Sequence, residues 1–130
     1  MSAPSAALYV RESGRPGAPA IVFLHATGAS GGMWEQHLRR LGGYHCLAPD
    51  LPGHGGSNHL PWRSRTDTAK QVAELIQRRI PAWRAHLVGL SLGGAVAHTL
   101  LTTRRELLDR VVIDGCGALP AWWIAPMRLG

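Results

Sequence analysis

The chain has 130 residues, of which 45% are apolar and 17% charged. That is the length of one small domain with enough apolar side chain for a core, which excludes a disordered chain and an array of domains. Lys and Arg number 14 against 8 Asp and Glu, a net charge of +6, but the arginines are scattered in pairs with few aromatics between them, so they read as a solvated surface and not as a nucleic-acid face.

The predicted elements alternate in type. Leu8 to Arg11 is a weak strand, closed by Ser13-Gly14-Arg15-Pro16-Gly17. Ala20 to Leu24 is continuously apolar, the mark of a strand buried on both faces. Ser30 to Leu41 places Met33, Trp34, His37, Leu38 and Leu41 on one helical face, and Gly42-Gly43 ends it. Tyr44 to Ala48 is a second buried strand, stopped by Pro49. A Gly- and Pro-rich loop from Asp50 to Arg65 follows. Thr66 or Asp67 can cap the next helix, whose Ala69, Val72, Ala73, Ile76 and Ile80 recur at spacings of three and four before Pro81. His86 to Leu90 is a third buried strand. A turn at Ser91 leads into a helix over 93–107, with Val96, Ala97, Leu100, Leu101 and Leu108 as its stripe. Val111 to Asp114 is the last strand, and a tail over 115–130 carries the Trp122-Trp123 pair.

Strands alternating with helices predict βαβ units, a parallel sheet, and helices on both faces. Ligands of such sheets bind beyond the carboxyl ends of the strands. The loops after Leu24, Ala48, Leu90 and Ile113 are therefore where chemistry is to be sought.

The loop after the third buried strand reads Gly89-Leu90-Ser91-Leu92-Gly93-Gly94, a G-x-S-x-G nucleophile elbow. A serine hydroxyl is a poor nucleophile unless presented, exposed, to a base. A tight strand-to-helix turn presents it and forces the serine towards positive φ. Glycines at 89 and 93 remove the clash that side chains would make there. The helix that follows points N–H groups and its positive dipole end at the site. Acyl transfer also needs two N–H donors aimed at the developing oxyanion. The residue after the serine, Leu92, supplies one, and the loop His25-Ala26-Thr27-Gly28 lies where the other is needed.

These two motifs, with Asp50-Leu51-Pro52-Gly53-His54-Gly55-Gly56-Ser57 between them, resemble in order and spacing the α/β-hydrolase superfamily, in its esterase, lactonase and thioesterase-like branch. The likeness runs from about Tyr9 to about Leu119. It implies a three-layer α/β/α fold with a parallel sheet, in which residues 1–130 form a partial domain: a weak N-terminal strand near 8–11, a core over 20–114, and the tail. It also implies Ser91 as catalytic nucleophile, the backbone N–H groups of Leu92 and Thr27 as oxyanion hole, and Asp50 and His54 as residues that shape their loop. The family's strand order places Ala20–Leu24 between Tyr44–Ala48 and His86–Leu90, with Val111–Ile113 outside.

Two departures from the family are visible. Ala26 stands where the family commonly has glycine, which adds strain if that position needs positive φ. The triad order of the fold is serine, then acid, then histidine. The only histidine after Ser91 is His98, seven residues along the same helix and about 10 Å up its axis. It points away from the site. Asp114 holds a position some members use for the acid, but has no histidine to orient. A full domain of the class needs roughly 200–250 residues, so the late strands and the lid are expected to be missing.

The reading is therefore the N-terminal part of a serine hydrolase acting on a carboxylic ester, lactone or thioester, with triad acid and histidine absent and this chain alone inactive. The alternative is a non-catalytic remnant or interaction module keeping the first half of the fold. A nucleotide-binding domain is disfavoured by the lack of a G-x-G-x-x-G or P-loop lysine. No cofactor or metal is expected, since the 7 histidines are dispersed. The expected partners are a small ester-type substrate and, through an exposed Val111–Ile113 edge, further copies of the chain; no nucleic acid or membrane is expected. Cys46 and Cys116 lie in apolar runs two strands apart, too far for a disulfide. With no secretory start at Met1–Ala7, they point to a cytoplasmic protein.

Overall fold

The computed structural model describes residues 7–115. The expectations for Cys116, for the Trp122-Trp123 pair and for the tail beyond Gly115 lie outside these residues.

The strands are β1 (Val10–Ser13), β2 (Ala20–Leu24), β3 (His45–Pro49), β4 (Ala85–Leu90) and β5 (Leu108–Asp114). The helices are α1 (Glu35–Arg40), α2 (Arg65–Arg79) and α3 (Leu92–Thr103). One five-stranded sheet has the order β1-β3-β2-β4-β5. The expected order holds, with β2 central between β3 and β4 and β5 outside them. All neighbours are parallel except β1, which runs antiparallel along β3 from Val10 opposite Pro49 to Ser13 opposite Cys46.

β2 and β3 are buried at every position; the unbroken apolar run of β2 requires this, whereas β3 also buries His45, whose Nε2 meets the Glu12 carboxylate. On one face Val22, Leu24, Leu47 and Leu87 pack against Val72 and Ile76 of α2 and Val96 and Leu100 of α3. On the other, Ile21, Phe23, Cys46 and Ala48 pack against Trp34 and Leu38. Each Val, Leu, Ile or Phe side chain so withdrawn from water contributes about 1.5–3 kcal/mol. The chain thus runs from β2 through α1 on one face to β3, and from β3 through α2 on the other face to β4 on the far side of β2. In sheets of this kind such a reversal marks the carboxyl ends of the central strands as the place where ligands bind.

Several boundaries differ from the sequence reading. The helix expected over 30–41 is a 3-10 turn at Gly31–Trp34 followed by α1. Gly31 and Gly32 are weak helix formers, and the amide of Gly31 donates instead to Asp50 Oδ1 at 2.7 Å. Met33, expected in the stripe, faces solvent. The cap of α2 is Ser64, whose Oγ accepts from the amide of Asp67 at 2.9 Å, ahead of Thr66 and Asp67. The last helix stops at Thr103, and β5 begins at Leu108, three residues before the expected start. Ile80 is extended, as the residue before Pro81 must be.

Among the described residues, no helix is long and apolar enough to cross a membrane. Cys46 is buried and unpaired, and burial pushes its thiol pKa up, so it packs as a small hydrophobe.

Candidate active site

Ser91 sits between β4 and α3 at φ 55, ψ −112, the positive φ expected of an elbow. For a residue with a Cβ this conformation costs on the order of 1–3 kcal/mol, and neighbouring contacts must impose it. Those contacts are present. The Ser91 amide donates to the Asp114 carbonyl at 2.9 Å, and the Ser91 carbonyl accepts from Ala95 at 3.0 Å. The two glycines are steric necessities. A Cβ on Gly89 would stand 2.4 Å from the Gly93 carbonyl oxygen, and one on Gly93 would stand 2.2 Å from that of Leu24. The first turn of α3 therefore rests directly on the carboxyl end of β2.

That close approach brings the two expected oxyanion loops together. The amide of Gly93, one residue beyond Leu92, donates to the His25 carbonyl at 3.0 Å. Residues 26–29 form a turn closed by the Ala29 amide on the Ala26 carbonyl at 3.1 Å, with Gly28 at φ 76. The left-handed residue of this turn is Gly28, so Ala26 bears no positive φ and the strain expected there is absent. Thr27 occupies the exposed corner. Among the described residues no hydrogen bond takes up the amide of Leu92 or of Thr27.

His25 is fully buried and ties three loops together. Its Nδ1 lies 2.8 Å from the Ala26 carbonyl, its Nε2 accepts from the Leu51 amide at 2.9 Å, and its own carbonyl holds Gly93. These partners fix a neutral ring with the proton on Nδ1. Burial is the main cause that lowers its pKa below 6.5, the nearby His54 adding to it. The rings of His25 and His54 pack at 4.9 Å, and His54 Nδ1 meets the Pro52 carbonyl at 3.0 Å.

Asp50 is fully buried and equally occupied. Oδ1 accepts from Gly31 and from Arg11, and Oδ2 accepts from Gly56 at 2.7 Å. Gly55 is needed beside it, because a Cβ there would stand 2.3 Å from Oδ2. Asp50, His54 and the loop between them thus hold the carboxyl end of β3 in shape. The sequence reading missed Arg11, the ion partner of Asp50, and Ser57, whose Oγ accepts the Tyr9 amide at 2.9 Å. Both contacts span more than thirty residues and leave no local signal. The Ser64 cap could have been found from the spacing Ser64-x-x-Asp67.

His98 is exposed on α3. The Asp114 carbonyl meets Ser91 while its side chain is exposed. Among the described residues no group of three or more His, Cys, Asp or Glu stands close enough to hold a metal ion.

A pH dependence follows from His25. A histidine held neutral in the fold and protonated more readily when unfolded contributes stability that is complete above the unfolded value near 6.5 and is lost as pH falls from there towards the folded value. The urea midpoint should therefore fall as pH is lowered from neutrality through this window. The His25 ring, followed by NMR, should titrate below 6.5. A His25 ring titrating at or above 6.5 would contradict the bonding described.

A family model described as the alpha/beta hydrolase family matches residues 21–130. A 2-succinyl-6-hydroxy-2,4-cyclohexadiene-1-carboxylate synthase from Salmonella agona is 41% identical over 103 residues, covering 78% of this chain and 40% of that protein. A 2-hydroxy-6-oxo-6-phenylhexa-2,4-dienoate hydrolase from Comamonas testosteroni is 32% identical over 117 residues, covering 85% and 41%. Among solved structures, an esterase from Exiguobacterium antarcticum superposes with a TM-score of 0.69 at 25% identity, covering 82% of this chain and 40% of that one. A mostly parallel sheet, a strained serine between β4 and α3, and this match over most of its length make the chain a member of the alpha/beta hydrolase family. It spans about two fifths of the length of the curated relatives it matches.

Proposed function

We propose that this chain is the nucleophile-bearing part of a serine hydrolase acting on a carboxylic ester, lactone or thioester. The conformation of Ser91 carries this reading: φ 55 on a residue with a Cβ, imposed by two glycines that cannot be replaced without backbone collision. Strain of this kind persists where presentation of a side chain is the purpose. Ser91 Oγ attacks the acyl carbonyl, and the oxygen that gains the negative charge is held by the N–H groups of Leu92 and Thr27. A base takes the hydroxyl proton and returns it to the leaving alkoxide or thiolate. The acyl-Ser91 ester is then hydrolysed by water through the same oxyanion hole. The reading assigns base and acid to the part of the longer relatives that this chain does not span. The family supports hydrolysis in general, and the esterase neighbour supports the acyl substrate.

A fluorophosphonate tests the nucleophile, since it transfers phosphonate to an activated serine with loss of fluoride. Labelling should be slow without a base, should map by mass spectrometry to Ser91, and should disappear in Ser91→Ala. Label on another serine, or undiminished label in that variant, would refute the assignment.

A further inference from the structure

We propose that Arg11 of β1 is a positioning residue for the oxyanion turn: its guanidinium holds the Asp50 carboxylate on the Gly31 amide and so fixes the place of the Thr27 N–H. This rests on the proposed function, which takes residues 26–29 as half of the oxyanion hole.

The turn belongs to no strand or helix. It is closed on itself by the Ala29 amide on the Ala26 carbonyl at 3.1 Å, and it is tied down at its two ends. Before it, the His25 ring accepts from the Leu51 amide at 2.9 Å. Beyond it, the Gly31 amide donates to Asp50 Oδ1 at 2.7 Å. Asp50 and Leu51 are consecutive, so the turn hangs from two adjacent residues just past β3. A shift of either anchor carries the Thr27 amide with it.

The Asp50 anchor depends on Arg11. A carboxylate withdrawn fully from water is costly unless an opposite charge and hydrogen bonds replace the water. Gly31 and Gly56 supply amide donors, and among the described residues Arg11 supplies the charge, its Nη1 meeting Oδ1. The ion pair is not needed to align β1, which the ladder from Val10 opposite Pro49 to Ser13 opposite Cys46 already sets in register. Its effect falls instead on what the carboxylate holds.

The guanidinium is itself held. Its central carbon lies 5.3 Å from the centre of the Tyr9 ring. A Cβ on Gly32 would stand 3.7 Å from Nε and Nη2, so the group packs beside the residue that follows Gly31. Tyr9 is fixed in turn, its amide on Ser57 Oγ at 2.9 Å and its carbonyl under the Asp50 amide at 2.8 Å. A Cβ on Gly56 would stand 2.5 Å from Tyr9 Cγ. Arg11 is thus a rigid, planar donor at a fixed place, which a flexible ammonium reproduces only in charge.

Fluorophosphonate labelling of Ser91 in the full chain, with hydrogen exchange of the Gly31 amide, tests this. Arg11→Met keeps the apolar stem and leaves Asp50 without its counter-charge; such a group takes up a proton or turns to water, and both loosen Gly31. Labelling should slow about tenfold, part of the 10²–10³ that one oxyanion donor supplies, and Gly31 should exchange about tenfold faster. Arg11→Gln, which donates without charge, should behave alike and serves where Arg11→Met does not fold. Arg11→Lys should label within about threefold of wild type, because the charge returns. Ser13→Ala is the control for stability alone. It removes the bond from Ser13 Oγ to the Leu38 carbonyl on the same strand, 2.8 Å long, and should leave both readouts at wild-type values. Wild-type labelling and exchange in Arg11→Met or Arg11→Gln would overturn the proposal. So would equal slowing in Ser13→Ala, or no recovery in Arg11→Lys. If wild-type Ser91 takes no label, the proposed function fails on its own account. The amide resonances of Thr27 and Gly31 then decide: shifted in the uncharged variants and restored in Arg11→Lys if Arg11 sets the turn, unmoved if it does not.

Discussion

Gly93→Ala is expected to remove the native state of this chain, at a cost of about 4 kcal/mol or more, which is a large share of the roughly 5–15 kcal/mol that holds a domain folded. The added Cβ would stand 2.2 Å from the Leu24 carbonyl oxygen, 2.5 Å from its carbon and 2.8 Å from the His25 carbonyl oxygen. None of these atoms is the end of a flexible side chain. Leu24 belongs to the central strand and is held by its neighbour β4, so β2 cannot yield. The helix must yield instead, and lifting α3 breaks the Gly93 to His25 hydrogen bond and opens the core that Val96 and Leu100 share with α2. Gly89→Ala should behave similarly, with its Cβ 2.4 Å from the Gly93 carbonyl oxygen. Gly42→Ala is the matched control. A Cβ there meets nothing within 4 Å, and the exchange should lie within about 0.5 kcal/mol of neutral. Urea unfolding compares them. Equal midpoints for the variants at 93 and 42 would mean that the elbow does not rest on β2 as described.

This steric demand explains why the elbow was legible in the sequence. Its cause is local: a serine between two glycines, after an apolar run and before a helical stripe, has few other uses. β2 was equally legible, because a strand buried on both faces must be apolar at every position, and Ala20–Leu24 is. The elements that escaped depend on partners distant in sequence. Gly31 leaves the helix because its amide goes to Asp50. The N-terminal strand, expected at Leu8 to Arg11, lies two residues later, at Val10–Ser13. Leu8 itself is buried, but the ladder begins at Val10, where an antiparallel register against β3 sets it. β5 begins at Leu108 because Leu107 and Leu108 are buried under α3 and β4, which an apolar count centred on Val111-Val112-Ile113 does not reveal. The proposed oxyanion residues stand between these cases. Leu92 follows from the elbow, whereas Thr27 rested on the resemblance, and its exposed corner depends on where Gly28 takes the positive φ.

The second large expected effect is a near absence of turnover that an added base should relieve. In a complete triad, loss of the serine or the histidine lowers kcat by about 10⁶. In this chain Ser91 has no histidine after it but His98, exposed along α3. The rate with p-nitrophenyl acetate should therefore lie only slightly above that of Ser91→Ala, by the small contribution of the Leu92 and Thr27 donors. Imidazole in solution can act as the base that takes the Ser91 hydroxyl proton. General-base assistance is worth about 10²–10⁴ when positioned, and a freely diffusing base recovers part of it. Rising imidazole should therefore raise the rate of the wild-type chain above that of Ser91→Ala, whose own imidazole reaction supplies the baseline. The increment should follow the neutral fraction of imidazole as pH is raised, because only that form accepts a proton. Brisk turnover without imidazole that vanishes in Ser91→Ala would reveal a base elsewhere in the chain. An imidazole response identical in both proteins would remove Ser91 from the chemistry and leave its strained turn a matter of packing alone.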